Sequence, residues 1–201
     1  MRFFIELSYK GTNYHGWQVQ PNANTVQAEI NKALSLILNA KIEVTGAGRT
    51  DAGVHAKQMF AHFDYDKEFD FHTTIIKLNS FLPNDIAVHS FFNVKDDASS
   101  RFDAMSRIYN YNIVQKKSPF KKTAYFVHKP LDIIQMNLAC QSLLGRQDFT
   151  SFSKANTQTF TNNCNVMSAS CQWYDGELIF TIKADRFLRN MVRAIVGTLL
   201  E

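Results

Sequence analysis

The order in which hydrophobic periods change along this chain limits its fold more than any other feature. Residues 3–9 alternate, placing Phe3, Ile5, Leu7 and Tyr9 on one face, as a half-buried strand does. Val26, Ile30, Ala33, Leu34, Ile37 and Leu38 then recur at the helical period, behind Asn24 or Thr25 as a cap. Residues 42–45 and 58–64 read as strands, 72–80 as a weaker helix that ends before Pro83, and 86–94 as a strand. The predicted order is β-α-β-β-α-β.

The second half repeats most of that order. Residues 108–115 form a predicted strand, with a short one at 125–127. A helix spans 132–144, with Gly145 as its stop. Residues 165–173 and 177–183 make a hairpin about Asp175-Gly176. A last helix is predicted over 186–200, with Phe187, Leu188, Met191, Ile195 and Leu199 as its buried stripe. The expectation is an α+β chain of two ferredoxin-like halves, 1–103 and 104–201, packed around a shared, mainly antiparallel sheet with a cleft on its open face. The second half lacks a final strand and reads as C-terminally truncated.

Composition narrows the class. The 201 residues are 45% hydrophobic and 20% charged, the balance of a globular protein. No apolar run reaches the ~18 residues of a membrane span, and the opening residues lack the features of a secretory signal. The expected location is the cytoplasm. Cys140, Cys164 and Cys171 are odd in number and have no CxxC spacing, which argues against a disulfide framework or a zinc site. The net charge of +4 is compatible with a polyanionic partner without proving one.

The segment TGAGRTDAGVHA, residues 45–56, carries the reactive types Arg49, Asp51 and His55 between two strands. Its glycines suit tight turns or close approach of backbone to a ligand. The bland reading is a hairpin loop whose Asp caps a turn. Gly48 and Gly53 have P-loop spacing, but Val54 and His55 stand where Lys and Ser/Thr belong. The segment also fails the dinucleotide-binding pattern, and no GxSxG elbow or zinc-protease motif occurs.

Basic residues gather elsewhere. On the predicted last helix, Arg186, Arg189 and Arg193 share a face, which is either a solvated surface or a strip for RNA phosphate with one arginine turned towards the active carboxylate. Lys116-Lys117 and Lys121-Lys122 lie in a predicted loop. Tyr109 and Tyr111 share one face of a strand, as packing residues or as a surface for a nucleobase.

Six ordered blocks carry a resemblance: YKGTNYHGWQVQPNANTVQ (9–27), GRTDAGVHA (48–56), NSFLPNDIAV (79–88), SRFDAMSRIYNY (100–111), LLGRQDFTSF (143–152) and FLRNMVRAIVGTLLE (187–201). The chain resembles the TruA family, the tRNA pseudouridine(38–40) synthases. The resemblance implies Asp51 as nucleophile, Tyr109 against the target base and Arg193 paired with the catalytic carboxylate. Arg49 is expected to orient the site or the flipped nucleotide. His55, Arg186, Arg189, Lys116 and Lys117 are further expected contacts to RNA. The family implies two α+β halves about a cleft, a homodimer gripping the tRNA elbow and anticodon arm, and no cofactor or metal. The alternative is a non-catalytic or truncated RNA-binding fragment, although the aromatic pattern of an RNA-recognition motif is absent.

Overall fold

A computed structural model describes residues 1–154 and 160–201. The chain divides into two compact units, Met1–Ala104 and Met105–Glu201. The class is α+β, with four α-helices and two sheets among the described residues.

In the first unit the order is β1 (Arg2–Tyr9), α1 (Val26–Leu38), β2 (Thr45–Gly46), β3 (Ala56–Asp64), α2 (Phe71–Phe81) and β4 (Ile86–Val94). The strands lie in the order β2-β3-β1-β4, and every pairing is antiparallel. Alternation in β1 buries Phe3, Ile5, Leu7 and Tyr9 in one cluster with Val26, Ile30, Ala33 and Leu34 of α1 and Leu78 of α2. Both helices therefore cover that face of the sheet. The Thr25 hydroxyl accepts from Ala28 N at the start of α1, and Asn39 closes the helix in the left-handed region at φ 49°. Asp70 caps α2.

Residues 42–44 do not join the strand predicted there. Ser35 Oγ accepts from Ile42 N (2.9 Å), Asn31 Oδ1 accepts from Val44 N (2.9 Å), and Gln27 Nε2 donates to Val44 O (2.7 Å). Polar side chains of α1 satisfy this backbone, so only Thr45–Gly46 pair with β3.

The second unit runs β5 (Arg107–Val114), β6 (Tyr125–Phe126), α3 (Ile133–Gln141), β7 (Gly145–Asp148), β8 (Asn163–Tyr174), β9 (Glu177–Ala184) and α4 (Met191–Leu199). The sheet order is β6-β5-β9-β8-β7, with β5 and β6 parallel and the rest antiparallel. Ile113, Leu178, Phe180 and Ile182 pack with Met136 and Cys140 of α3 and with Met191, Ile195 and Val196 of α4. At the hairpin tip, Asp175 (φ 48°) and Gly176 (φ 72°) are both left-handed, the geometry a two-residue turn needs to match strand twist. Hydrogen-bonded pairing thus gives one sheet in each unit.

Two expectations change here. The helix predicted over 132–144 closes at Gln141, and Gly145 (φ 89°) opens strand β7 rather than ending the helix. The last helix begins at Met191, not at residue 186. Asn190 stands in the left-handed region at φ 69°, which breaks helical continuity ahead of it. Asp185 Oδ1 also accepts from Asn165 N (2.8 Å) and Arg186 N (2.7 Å), holding the preceding stretch to β8.

Candidate active site

The loop of the first unit that carries Asp51 leaves β2 and enters β3, and it lies against the chain leaving β1. Two glycines make that approach possible. A Cβ on Gly11 would sit 2.0 Å from the carbonyl oxygen of Val54, and one on Gly16 (φ 91°) would sit 2.3 Å from that of Thr50. Beneath them, Trp17 is 2% exposed, and a Cβ on Gly46 would stand 2.5 Å from its ring.

Hydrogen bonds join the two segments along their length. Trp17 N donates to Thr50 O (3.2 Å) and Gly53 N donates to Tyr14 O (3.3 Å). The Tyr9 and Thr50 hydroxyls share a bond of 2.9 Å, and Gly11 N donates to His55 Nδ1 (2.8 Å). Val54 N donates to Asp51 O (3.2 Å), closing a turn that begins at the carboxylate. Asp51 is half-buried and Arg49 is exposed.

The bond to His55 has an electrostatic consequence. An imidazole nitrogen that accepts from a backbone N–H cannot also hold a proton, so neutral His55 carries its hydrogen on Nε2. Burial, and then the Lys10 charge, depress its pKa below the usual histidine value. His62, on β3, is also depressed, first by burial and then by Arg2. Its Nδ1 lies 2.9 Å from Ser100 Oγ, which donates to Thr45 O at 2.8 Å.

The second unit carries the aromatic and basic set. Tyr109 on β5 is half-buried and meets Phe187 edge-on, with centroids 5.0 Å apart at 81°. Arg193 is exposed in the first turns of α4. Burial and Tyr125 raise the Tyr111 phenol pKa, and the charge of Arg193 partly opposes them. Arg186 and Arg189 lie outside α4, so they do not share a helical face with Arg193 as the 186–200 reading required. Arg189 instead turns its carbonyl to Lys154 N (3.0 Å). Lys116 and Lys117 are exposed in the segment after β5. Lys121, farther along it, donates to the Asp175 carbonyl and pairs with Glu177 (3.7 Å).

Asp51, Arg49 and His55 are thus gathered in the first unit, and Tyr109, Arg186, Arg189, Arg193, Lys116 and Lys117 in the second. Tyr14, Trp17 and Asp85 stand outside the set of residues that the sequence motifs point to. The close glycines Gly11 and Gly16 around Tyr14 were the available signal. Among the described residues, no group of three or more His, Cys, Asp or Glu side chains is placed to hold a metal ion, and no helix is long and apolar enough to cross a membrane.

Comparison with known proteins gives this chain its family. The sequence model of the tRNA pseudouridine synthase family matches residues 7–103 and 139–201. The tRNA pseudouridine synthase A of Bacteroides thetaiotaomicron is 53% identical over 204 residues, covering 100% of this chain and 76% of that protein. The tRNA pseudouridine synthase A of Bacteroides fragilis is 53% identical over 203 residues, covering 100% and 81%. That of Shewanella amazonensis is 40% identical over 204 residues, covering 100% and 78%. The chain belongs to the tRNA pseudouridine synthase family. Its class is that of an isomerase converting uridine in tRNA to pseudouridine.

Proposed function

We propose that this chain forms pseudouridine at positions 38–40 of the tRNA anticodon stem-loop, with Asp51 as its nucleophile. The observation that carries this reading is the placement of Asp51. It is the only carboxylate in the loop between β2 and β3, and backbone bonds from Tyr14 and Trp17 hold the loop on either side of it. A reacting group held in one geometry avoids the entropy of finding it.

The reaction breaks the N1–C1′ bond of uridine, turns the base and joins C5 to C1′. The C5 proton is lost and N1 gains one, so atoms and electrons balance without oxidant, reductant or water. Neither cofactor nor metal is called for. An ionised Asp51 forms a covalent intermediate that divides the reaction into easier steps. Arg193 pairs with it through a charge-assisted bond. Tyr109 covers the face of the base and assists loss of the C5 proton. The target nucleotide leaves its stack to reach the carboxylate, and Arg49 props the vacated space. His55, Arg186, Arg189, Lys116 and Lys117 contact the RNA. In this reading the two units are ferredoxin-like halves of one enzyme. The enzyme acts in the cytoplasm as a homodimer that holds the tRNA elbow and anticodon arm.

The test uses an unmodified tRNA transcript, with pseudouridine mapped by carbodiimide treatment and primer extension. Stops at the anticodon-arm uridines with the native chain, and none with Asp51→Asn, are expected. Modification by the Asp51→Asn chain removes the nucleophile assignment. Arg193→Ala should lose activity with a smaller loss of tRNA affinity. A collapse of affinity alone makes Arg193 a phosphate contact instead.

A further inference from the structure

We infer that Asp85, acting through Tyr14, is a positioning residue for the loop that carries Asp51. Asp85 precedes β4, 34 positions from Asp51 in sequence. Both of its carboxylate oxygens are engaged. Oδ1 accepts from the Tyr14 hydroxyl at 2.5 Å, and Oδ2 accepts from Asn13 Nδ2 at 3.0 Å. Tyr14 is 4% exposed, so its ring has little room to shift. At its other end, the Tyr14 carbonyl accepts from Gly53 N (3.3 Å), inside the turn that Asp51 opens. The path runs from carboxylate to buried ring to backbone to catalytic turn.

The side chain of Asp85 is not needed simply to attach this segment to the sheet. Its main-chain carbonyl already accepts from Lys10 N at 2.8 Å. What the carboxylate adds is direction: it fixes where the Tyr14 ring lies, and hence where the Tyr14 carbonyl meets Gly53. Burial, and then the bond to Asp85, raise the Tyr14 pKa well above that of a free phenol, so the hydroxyl remains a donor through the working range.

This inference rests on the reading of Asp51 as nucleophile, and Asp51→Asn accompanies the test so that the two can fail separately. Steady-state turnover on tRNA would be measured for Tyr14→Phe, Asp85→Ala, Asp85→Asn and the double variant Tyr14→Phe/Asp85→Ala. Tyr14→Phe and Asp85→Ala should each lower kcat about 10- to 100-fold, with KM within about threefold of native. Asp85→Asn keeps an oxygen that can accept from Tyr14 and should recover most of that loss. The double variant should fall no further than the worse single one, since both break the same path. Native kcat in folded Tyr14→Phe, or a raised KM with kcat unchanged, overturns the inference. If Asp85→Ala is unfolded by circular dichroism, Tyr14→Phe decides the matter on the same criteria. Turnover by Asp51→Asn would remove the nucleophile reading itself. An inactive Asp51→Asn beside a fully active Tyr14→Phe would remove this inference alone.

Discussion

The loop around Asp51 and the segment holding Lys116 and Lys117 are built on opposite principles. The first is bonded on both sides by residues 9–17 and seated on glycines that admit no Cβ. The second leaves its first two lysines exposed, and its clear anchor is Lys121 against Asp175 and Glu177. Under the proposed function, the contrast would serve two kinds of work. Bond-making at one carbon requires a fixed attacking group. Attraction to a phosphate chain acts over several ångströms and tolerates moving side chains.

The sharpest way to test this contrast is to remove chemistry without shape. Asp51→Asn should lower turnover by about 10⁴-fold, while tRNA affinity in a filter-binding assay stays within about threefold of native. A parallel loss of affinity would mean that the fixed loop is a binding element instead.

A smaller effect comes from disturbing the seat of the loop. Gly16→Ala sets a Cβ against the Thr50 carbonyl at a left-handed position, and should cost about 2–4 kcal/mol in urea denaturation. Gly48 has nothing within 4 Å of its Cβ position, so Gly48→Ala should stay within about 0.5 kcal/mol of native. Equal effects from the two would show that the glycines are not what hold the segments together.

Acid should loosen the same unit more gently. His55 and His62 both have folded pKa values below the ordinary 6.5. The unfolded chain therefore binds more protons in that window, and stability falls as pH drops from 6.5 through the depressed values. The urea midpoint should be lower at about pH 5.5 than at about pH 7.5, a range above the carboxylate titrations. A midpoint unchanged or raised on acidification contradicts this.

The basic segment should give the smallest response. Replacing Lys116 and Lys117 with alanine should weaken tRNA binding a few-fold. The slope of log affinity against log salt should become shallower by about 0.7–0.9 for each phosphate that the lysines had neutralised. Turnover at saturating tRNA should not change. A fall in turnover would place these lysines nearer the chemistry than their exposure suggests.

Much of the fold was legible wherever local pattern and packing agree. Helix α1 has both its stripe and the Thr25 cap, and the Asp175-Gly176 turn has the residue types its backbone requires. Strand β7 was not legible, because Gly145–Asp148 has no alternating pattern and is a strand through its pairing with β8. Residues 42–44 alternate as a strand does, and Ile42 and Val44 are buried, yet their backbone is met by side chains. The apolar period runs past the true start of the last helix because Phe187 and Leu188 extend it. Phe187 packs on Tyr109, and Leu188 is buried ahead of a left-handed Asn190.

At the site, the reactive loop was legible as a glycine-spaced segment between two strands. What holds it was not. Tyr14 and Asp85 are 71 positions apart, and local periodicity carries no record of such a bond.

That separation also bears on how the protein is made. The ties that shape the Asp51 loop span 41 positions from Tyr9 to Thr50, 44 from Gly11 to His55 and 71 from Tyr14 to Asp85. Contacts so distant along the chain form only after the intervening loops have closed, which makes them late events in folding. On the ribosome, helix α1 can coil while downstream residues are still being added. The Tyr14–Asp85 bond cannot form until the residues just before β4 have emerged. A nascent chain therefore passes through a period with its first helix formed and its reactive loop still unshaped.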